Sequence, residues 1–184
     1  LYYWIGELTY DQHNSCLLWK GSWLPSSING KPEPENFSWN TNVFEYIGPR
    51  VDKSIILHGR YLLPVSGQYS GYYMVDVNEA IGKYFDKSFE IQFDKMDDDS
   101  NMMNFSVIGN GMNDFGRFVI SGTYNAMTRQ LEIVRQYISE VDERNSLSVM
   151  DVNQRKIAGV PFTETFSTPT NNNNNHRLQQ QQQQ

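Results

Sequence analysis

The chain has 184 residues, a formal charge of −6 and aromatic side chains at 14% of positions. Its 15 Lys and Arg residues are scattered, with only Arg155 and Lys156 adjacent, which argues against the clustered basic surface that nucleic-acid phosphates demand. No apolar run approaches the ~20 residues of a membrane-spanning helix, no secretory signal is visible, and Cys16 is the only cysteine, so an internal disulfide is excluded too.

Taken in chain order, period-two alternation predicts strands over residues 2–10 and 16–24. Residues 25–53 carry Pro25, Pro32, Pro34 and Pro49 and read as a long loop with at most a short strand near 43–47. A connection of that length is usually a lid or a binding loop. Strands are expected next over 54–62 and 68–77, with one helical turn at 78–86. Four more follow at 87–95, 102–108, 115–124 and 129–138. In the first of these, Phe89, Ile91 and Phe93 face one way and Glu90, Gln92 and Asp94 the other, the pattern of a half-buried antiparallel strand. Residues 97–101 and 124–128 are rich in turn formers and read as hairpin connections. Residues 1–140 thus form one β domain. Residues 141–184, with an Asn run at 171–175 and a Gln run at 179–184, have too little apolar surface to offset ordering entropy and read as a largely disordered tail.

A weak repeat sharpens the fold. Large apolar residues flank a glycine at two-residue steps in Trp4-x-Gly6-x-Leu8, Trp19-x-Gly21-x-Trp23, Leu57-x-Gly59-x-Tyr61, Tyr69-x-Gly71-x-Tyr73 and Ile120-x-Gly122-x-Tyr124. Glycine inside a strand costs about 0.5–1 kcal/mol relative to Ala. A strand that must coil sharply offsets that cost, because glycine leaves room for the bend and for a ring from a neighbouring strand. The expectation is an all-β fold, a small antiparallel up-and-down barrel of about eight strands with a long loop after the second. Its interior would hold Trp4, Trp19, Trp23, Tyr69, Tyr73 and Phe89, together with Phe93, Phe105, Phe118, Ile120 and Tyr137. Arg135 shares an apolar stripe with Leu131, Ile133 and Tyr137 and therefore needs a partner, for which an indole face is suited.

Gly21-Ser22-Trp23 and Arg135 together resemble the lipocalins and their calycin relatives. In those families a Gly-x-Trp element of the first strand packs its Trp under a basic side chain from the last. The resemblance implies a barrel that carries a small apolar ligand. It departs in placing Gly21-Ser22-Trp23 in the second strand, which leaves Trp4 and Trp19 as further candidates for the packed ring.

Catalytic and metal motifs are weak. Gly109-Asn110-Gly111 lacks the third glycine of a dinucleotide loop, since position 114 is Asp, and reads as a turn or bulge. Asp97, Asp98 and Asp99 lack the spacing, glycine and closing Glu of a calcium loop. His13, His58 and His176 have no metal-ligand spacing, and His13 with Cys16 lacks a third, orienting group. No catalytic residue, cofactor or metal is assigned. A disulfide-free, aromatic-rich chain suits a reducing compartment, so the expected location is cytoplasmic or nuclear. Asn36-Phe37-Ser38 and Asn104-Phe105-Ser106 match the glycosylation pattern, but the second falls within an expected strand. A chain opening on Leu1 reads as a processed product or a piece of something longer.

The leading functional expectation is a non-enzymatic protein-interaction module of a larger intracellular regulatory protein. Its partner surface would combine Phe37, Trp39, Phe44 and Tyr46 of the long loop with Tyr72 and Met74, which alternate onto the outside of their strand. The alternatives are a lipocalin-like carrier of a small apolar ligand and, third, an enzyme using a barrel cavity. No nucleic-acid or membrane partner is expected.

Overall fold

In the computed structural model, residues 1–26, 30–39, 41–77, 80–97 and 103–138 are described. Alternating large side chains set the strands β1 (Tyr2–Asp11), β2 (Cys16–Pro25) and β3 (Val43–Arg50). A one-turn helix α1 (Lys53–Ile56) and the short pair β4 (Leu57–His58) and β5 (Tyr61–Leu62) follow. Then come β6 (Gly67–Val77), β7 (Ala80–Lys95), β8 (Asn104–Asn113), β9 (Gly116–Asn125) and β10 (Gln130–Tyr137). Eight strands close an antiparallel barrel in the order β1-β10-β9-β8-β7-β6-β3-β2, so each barrel strand neighbours the next in sequence. The all-β up-and-down barrel expected from the sequence is present, in an arrangement compatible with calycin architecture. The 141–184 tail lies outside the described residues. Among those described, no helix is long and apolar enough to cross a membrane.

Glycines allow the closure. Gly6 and Gly21 are direct partners across β1 and β2. A Cβ on Gly6 would stand 2.2 Å from the Lys20 carbonyl oxygen, and one on Gly21 2.0 Å from that of Ile5. The strands approach too closely there for any side chain. Gly59 breaks the expected pattern: it sits at φ +61 in the turn between β4 and β5, not within a barrel strand.

Two segments differ from expectation. The third barrel strand is β3, not 54–62. The prolines around it hid a full alternation, with Phe44, Tyr46 and Gly48 buried between less buried neighbours. Residues 54–62 instead cap one end of the barrel. The Asp52 side chain accepts from the Ser54 N–H at 2.8 Å and starts α1. Ile56 and Leu62 are buried in the core cluster. Tyr124 Oη donates to the Leu62 carbonyl at 2.7 Å, and the Leu62 N–H donates to that of Ala126 at 3.1 Å. The second difference is at 80–86, expected as a helical turn, which extends β7 in a long hairpin with β6.

The interior is filled. Trp4, Trp19, Trp23, Tyr69, Tyr73, Phe89, Phe118, Ile120 and Arg135 are buried, and Phe93, Phe105 and Tyr137 pack partly buried against them. Burying a Phe-sized side chain contributes roughly 1.5–3 kcal/mol, so these rings are a main source of stability. Phe44 and Tyr46, expected on an outer loop, belong to this core: the Phe44 ring lies 4.5 Å from Trp19 and the Tyr46 ring 4.9 Å from Phe89. Phe37, also expected on the partner surface, is buried where its loop folds back on the outside of β1 and β10 beside Tyr3 and Val134. Lys31 ties that loop down through an ion pair with Glu132 at 2.7 Å.

Candidate functional site

Arg135 marks a polar centre in the apolar core. Its guanidinium pairs with Asp86 at 2.8 Å, and both side chains are fully buried. Tyr46 Oη donates to the same carboxylate oxygen at 2.6 Å. Asn113 Nδ2 donates to the other oxygen at 2.8 Å and to Tyr137 Oη at 2.9 Å. The guanidinium carbon lies 4.3 Å from the Trp4 ring centre and 4.1 Å from that of Phe118. The aromatic partner expected for Arg135 is therefore present, and of the three candidate tryptophans it is Trp4 of the first strand. Burial alone would lower the Arg135 pKa; Tyr46 and the Asp86 carboxylate beside it outweigh that and raise it. Burial holds the Tyr46 phenol well above its ordinary value. Arg135 Nε and the Trp4 and Trp19 indole nitrogens find no hydrogen-bond partner among the described residues. Three surface cavities among the described residues have linings that include neither Asp86 nor Arg135. The arrangement is an ion pair sealed from solvent and hydrogen-bonded across β3, β7, β8 and β10.

Asp86 was missed in the sequence because residues 78–86 read as a helical turn, and a bulge conceals its inward phase even in a strand. Tyr69 and Gly71 of β6 pair with Phe89 and Asp86 of β7, two steps on one strand against three on the other. The extra residue reverses the inward phase of β7. Phe89 and Ile91 point inward on one side of it, Asp86 on the other, while Phe85 and Lys87 are exposed. Simple alternation from Phe89 would put Asp86 outside.

The same bulge turns β7 away from β8. Pairing between these strands begins at Phe89 with Gly111, and among the described residues 80–86 pair with β6 alone. Met112 and Asn113 continue on β8, paired only with β9. Asp86 and Asn113 bridge the divergence by side chain instead of backbone. Between the two strands lies a groove of about 480 Å³, lined by Tyr73, Lys83, Tyr84, Phe85, Lys87, Met112, Asn113, Asp114 and Phe115. Phe85, Met112 and Phe115 are 62%, 66% and 59% exposed. A strand edge with no partner strand among the described residues, beside exposed rings, is a template for another strand.

Beside this edge, on the outer face, lie two of the residues expected to bind a partner. Tyr72 pairs with Phe85 and Met74 with Lys83 across β6 and β7. The Lys83 ammonium sits 3.8 Å from the Tyr72 ring centre and 5.4 Å from that of Phe85. The structure thus brings Tyr72 and Met74 together with Phe85, which the sequence reading passed over. It leaves Trp39 exposed in the loop after β2 and takes Phe37, Phe44 and Tyr46 away. The overlooked signal was the alternation Ile81-x-Lys83-x-Phe85-x-Lys87, which is strand-like and amphipathic.

At the rim, Tyr2, Trp4, Trp23, Tyr73, Val75, Phe115 and Tyr137 line an apolar cavity of about 160 Å³. That is below the ~300 Å³ typical of small-molecule sites. No group of three or more His, Cys, Asp or Glu side chains among the described residues is placed to hold a metal. No protein-family model, curated protein or solved structure matches this chain.

Proposed function

We propose that the domain is a protein-interaction module that takes an extended segment of its partner as an added strand along β7. One observation carries this: among the described residues, 80–86 form a barrel-strand edge paired on one side only, opening on a groove with exposed rings. Strand addition draws affinity from main-chain hydrogen bonds and specificity from alternate side chains. Phe85, Met112 and Phe115 supply apolar contacts for those side chains, and Tyr72 and Met74 extend the face outward. The packed interior and the small rim cavity give less support to a ligand carrier, and the buried charges line none of the three cavities described above. The calycin likeness is one of architecture in this proposal, with the barrel serving as a rigid frame for its edge.

The test is selection of peptides from a displayed library against the full chain. Strand addition predicts that N-methylation at alternate peptide positions, in one phase only, abolishes binding, because only every second backbone amide faces the edge. Phe85→Ala is expected to weaken binding about tenfold while leaving the circular dichroism spectrum intact. Selected peptides indifferent to backbone methylation, or to Phe85→Ala, would defeat the proposal, as would a library that yields no binder.

A further inference from the structure

We infer that the segment received by β7 is acidic, with carboxylates alternating with apolar residues. This rests on strand addition at the same edge. Along the outer side of β7, exposed positions alternate Ile81, Lys83, Phe85 and Lys87. A strand laid beside them would place its outward side chains directly across from this stripe, where opposite charges and apolar pairs stabilise and like charges do not. Lys83 and Lys87 form no ion pair among the described residues, whereas Lys20 and Lys31 are paired with Glu45 and Glu132. Both lysines therefore have capacity for an incoming carboxylate.

The surrounding charges narrow the arrangement. Asp76 of β6 lies beside Ile81, the far end of the stripe, and Asp114 lines the opposite bank of the groove. An acidic residue is thus disfavoured at the Ile81 end and on the β8 side, and favoured opposite Lys83 and Lys87. A second copy of the chain is a poor occupant. Antiparallel pairing of β7 with itself would bring four lysines of the two copies into one stripe. Edge lysines are a known device against such self-pairing, and the same charges select an anionic guest. The edge at residues 80–86 spans about 23 Å at roughly 3.3 Å per residue, room for a segment of about five to seven residues.

The experiment measures dissociation constants of the full chain for three short peptides of equal apolar content. One alternates Glu with apolar residues, one replaces each Glu by Lys, and one keeps the Glu composition but groups the acids in a block. The alternating acidic peptide is expected to bind about tenfold tighter than either control, given that exposed pairs contribute a few-fold each. Raising salt should narrow the gap. The double variant Lys83→Glu with Lys87→Glu should reverse the preference toward the Lys peptide. Equal binding of all three, with sensitivity to N-methylation retained, would overturn the acidic preference and leave strand addition standing. Equal affinity for the blocked peptide would reduce the effect to bulk charge and overturn the alternation. No binding by any peptide, or a dimer in sedimentation that Phe85→Lys dissolves, would overturn both.

Discussion

Arg135 and Asp86 show how a residue pair can be costly and specific at once. Each charge is held out of water, and their attraction repays desolvation only while both are present. Removing one member leaves the other buried and unmatched. Asp86→Asn should therefore cost about 3–5 kcal/mol in urea unfolding, and Arg135→Met a similar amount. The double change Arg135→Met with Asp86→Leu should recover much of that loss, since an apolar replacement of a buried pair is often near neutral. Additive losses in the double variant would show that the pair does not act as a unit. Half of this centre was legible beforehand. Arg135 declared itself by standing on an apolar stripe. Asp86 did not, because residues 78–86 read as a helical turn and the bulge between Asp86 and Phe89 reverses the phase that alternation from Phe89 would assign it.

At the scale of elements, curvature is set where strands touch. Gly122 on β9 faces Ile133 on β10, and a Cβ there would stand 2.0 Å from the Glu132 carbonyl oxygen. The obstacle is backbone, which cannot rotate aside. Gly122→Ala should destabilise by at least the roughly 1–3 kcal/mol of an overpacked core site. Thermal melting checks this, and an unchanged midpoint would refute the close approach. Four of the five glycine motifs were read correctly as strand positions. The fifth, at Gly59, failed because the same Leu-x-Gly-x-Tyr spacing also fits a tight turn, where glycine supplies a positive φ. The β3 strand was undervalued for a related reason: Pro49 near its end and prolines in the preceding loop look like breakers, yet proline is tolerated at strand ends.

At the scale of the whole molecule, one ring-filled core is closed on itself, with β4 and β5 capping one end. Burial raises the Tyr46, Tyr69 and Tyr124 phenols above their ordinary values. The sign follows from linkage. The stabilisation is complete below the unfolded phenol value of about 10 and declines as pH rises past it, because the unfolded chain releases protons that the folded chain retains. In an alkaline titration followed at the phenolate absorbance, exposed tyrosines should ionise first. The buried ones should appear only in a cooperative step that coincides with loss of the far-ultraviolet signal. Smooth ionisation of every phenol with the barrel intact would contradict the burial described above.

The sequence by itself determined the fold class, the antiparallel order of most strands and the identity of most core rings. Those properties depend on local alternation, which is written residue by residue. It also placed Tyr72 and Met74 on the outer face. Only the tertiary structure decided that Phe44 and Tyr46 turn inward, that Asp86 meets Arg135, and that β7 parts from β8 to leave an open edge. Each depends on register between strands distant in the chain, and a single inserted residue shifts that register without altering the apolar pattern on either side.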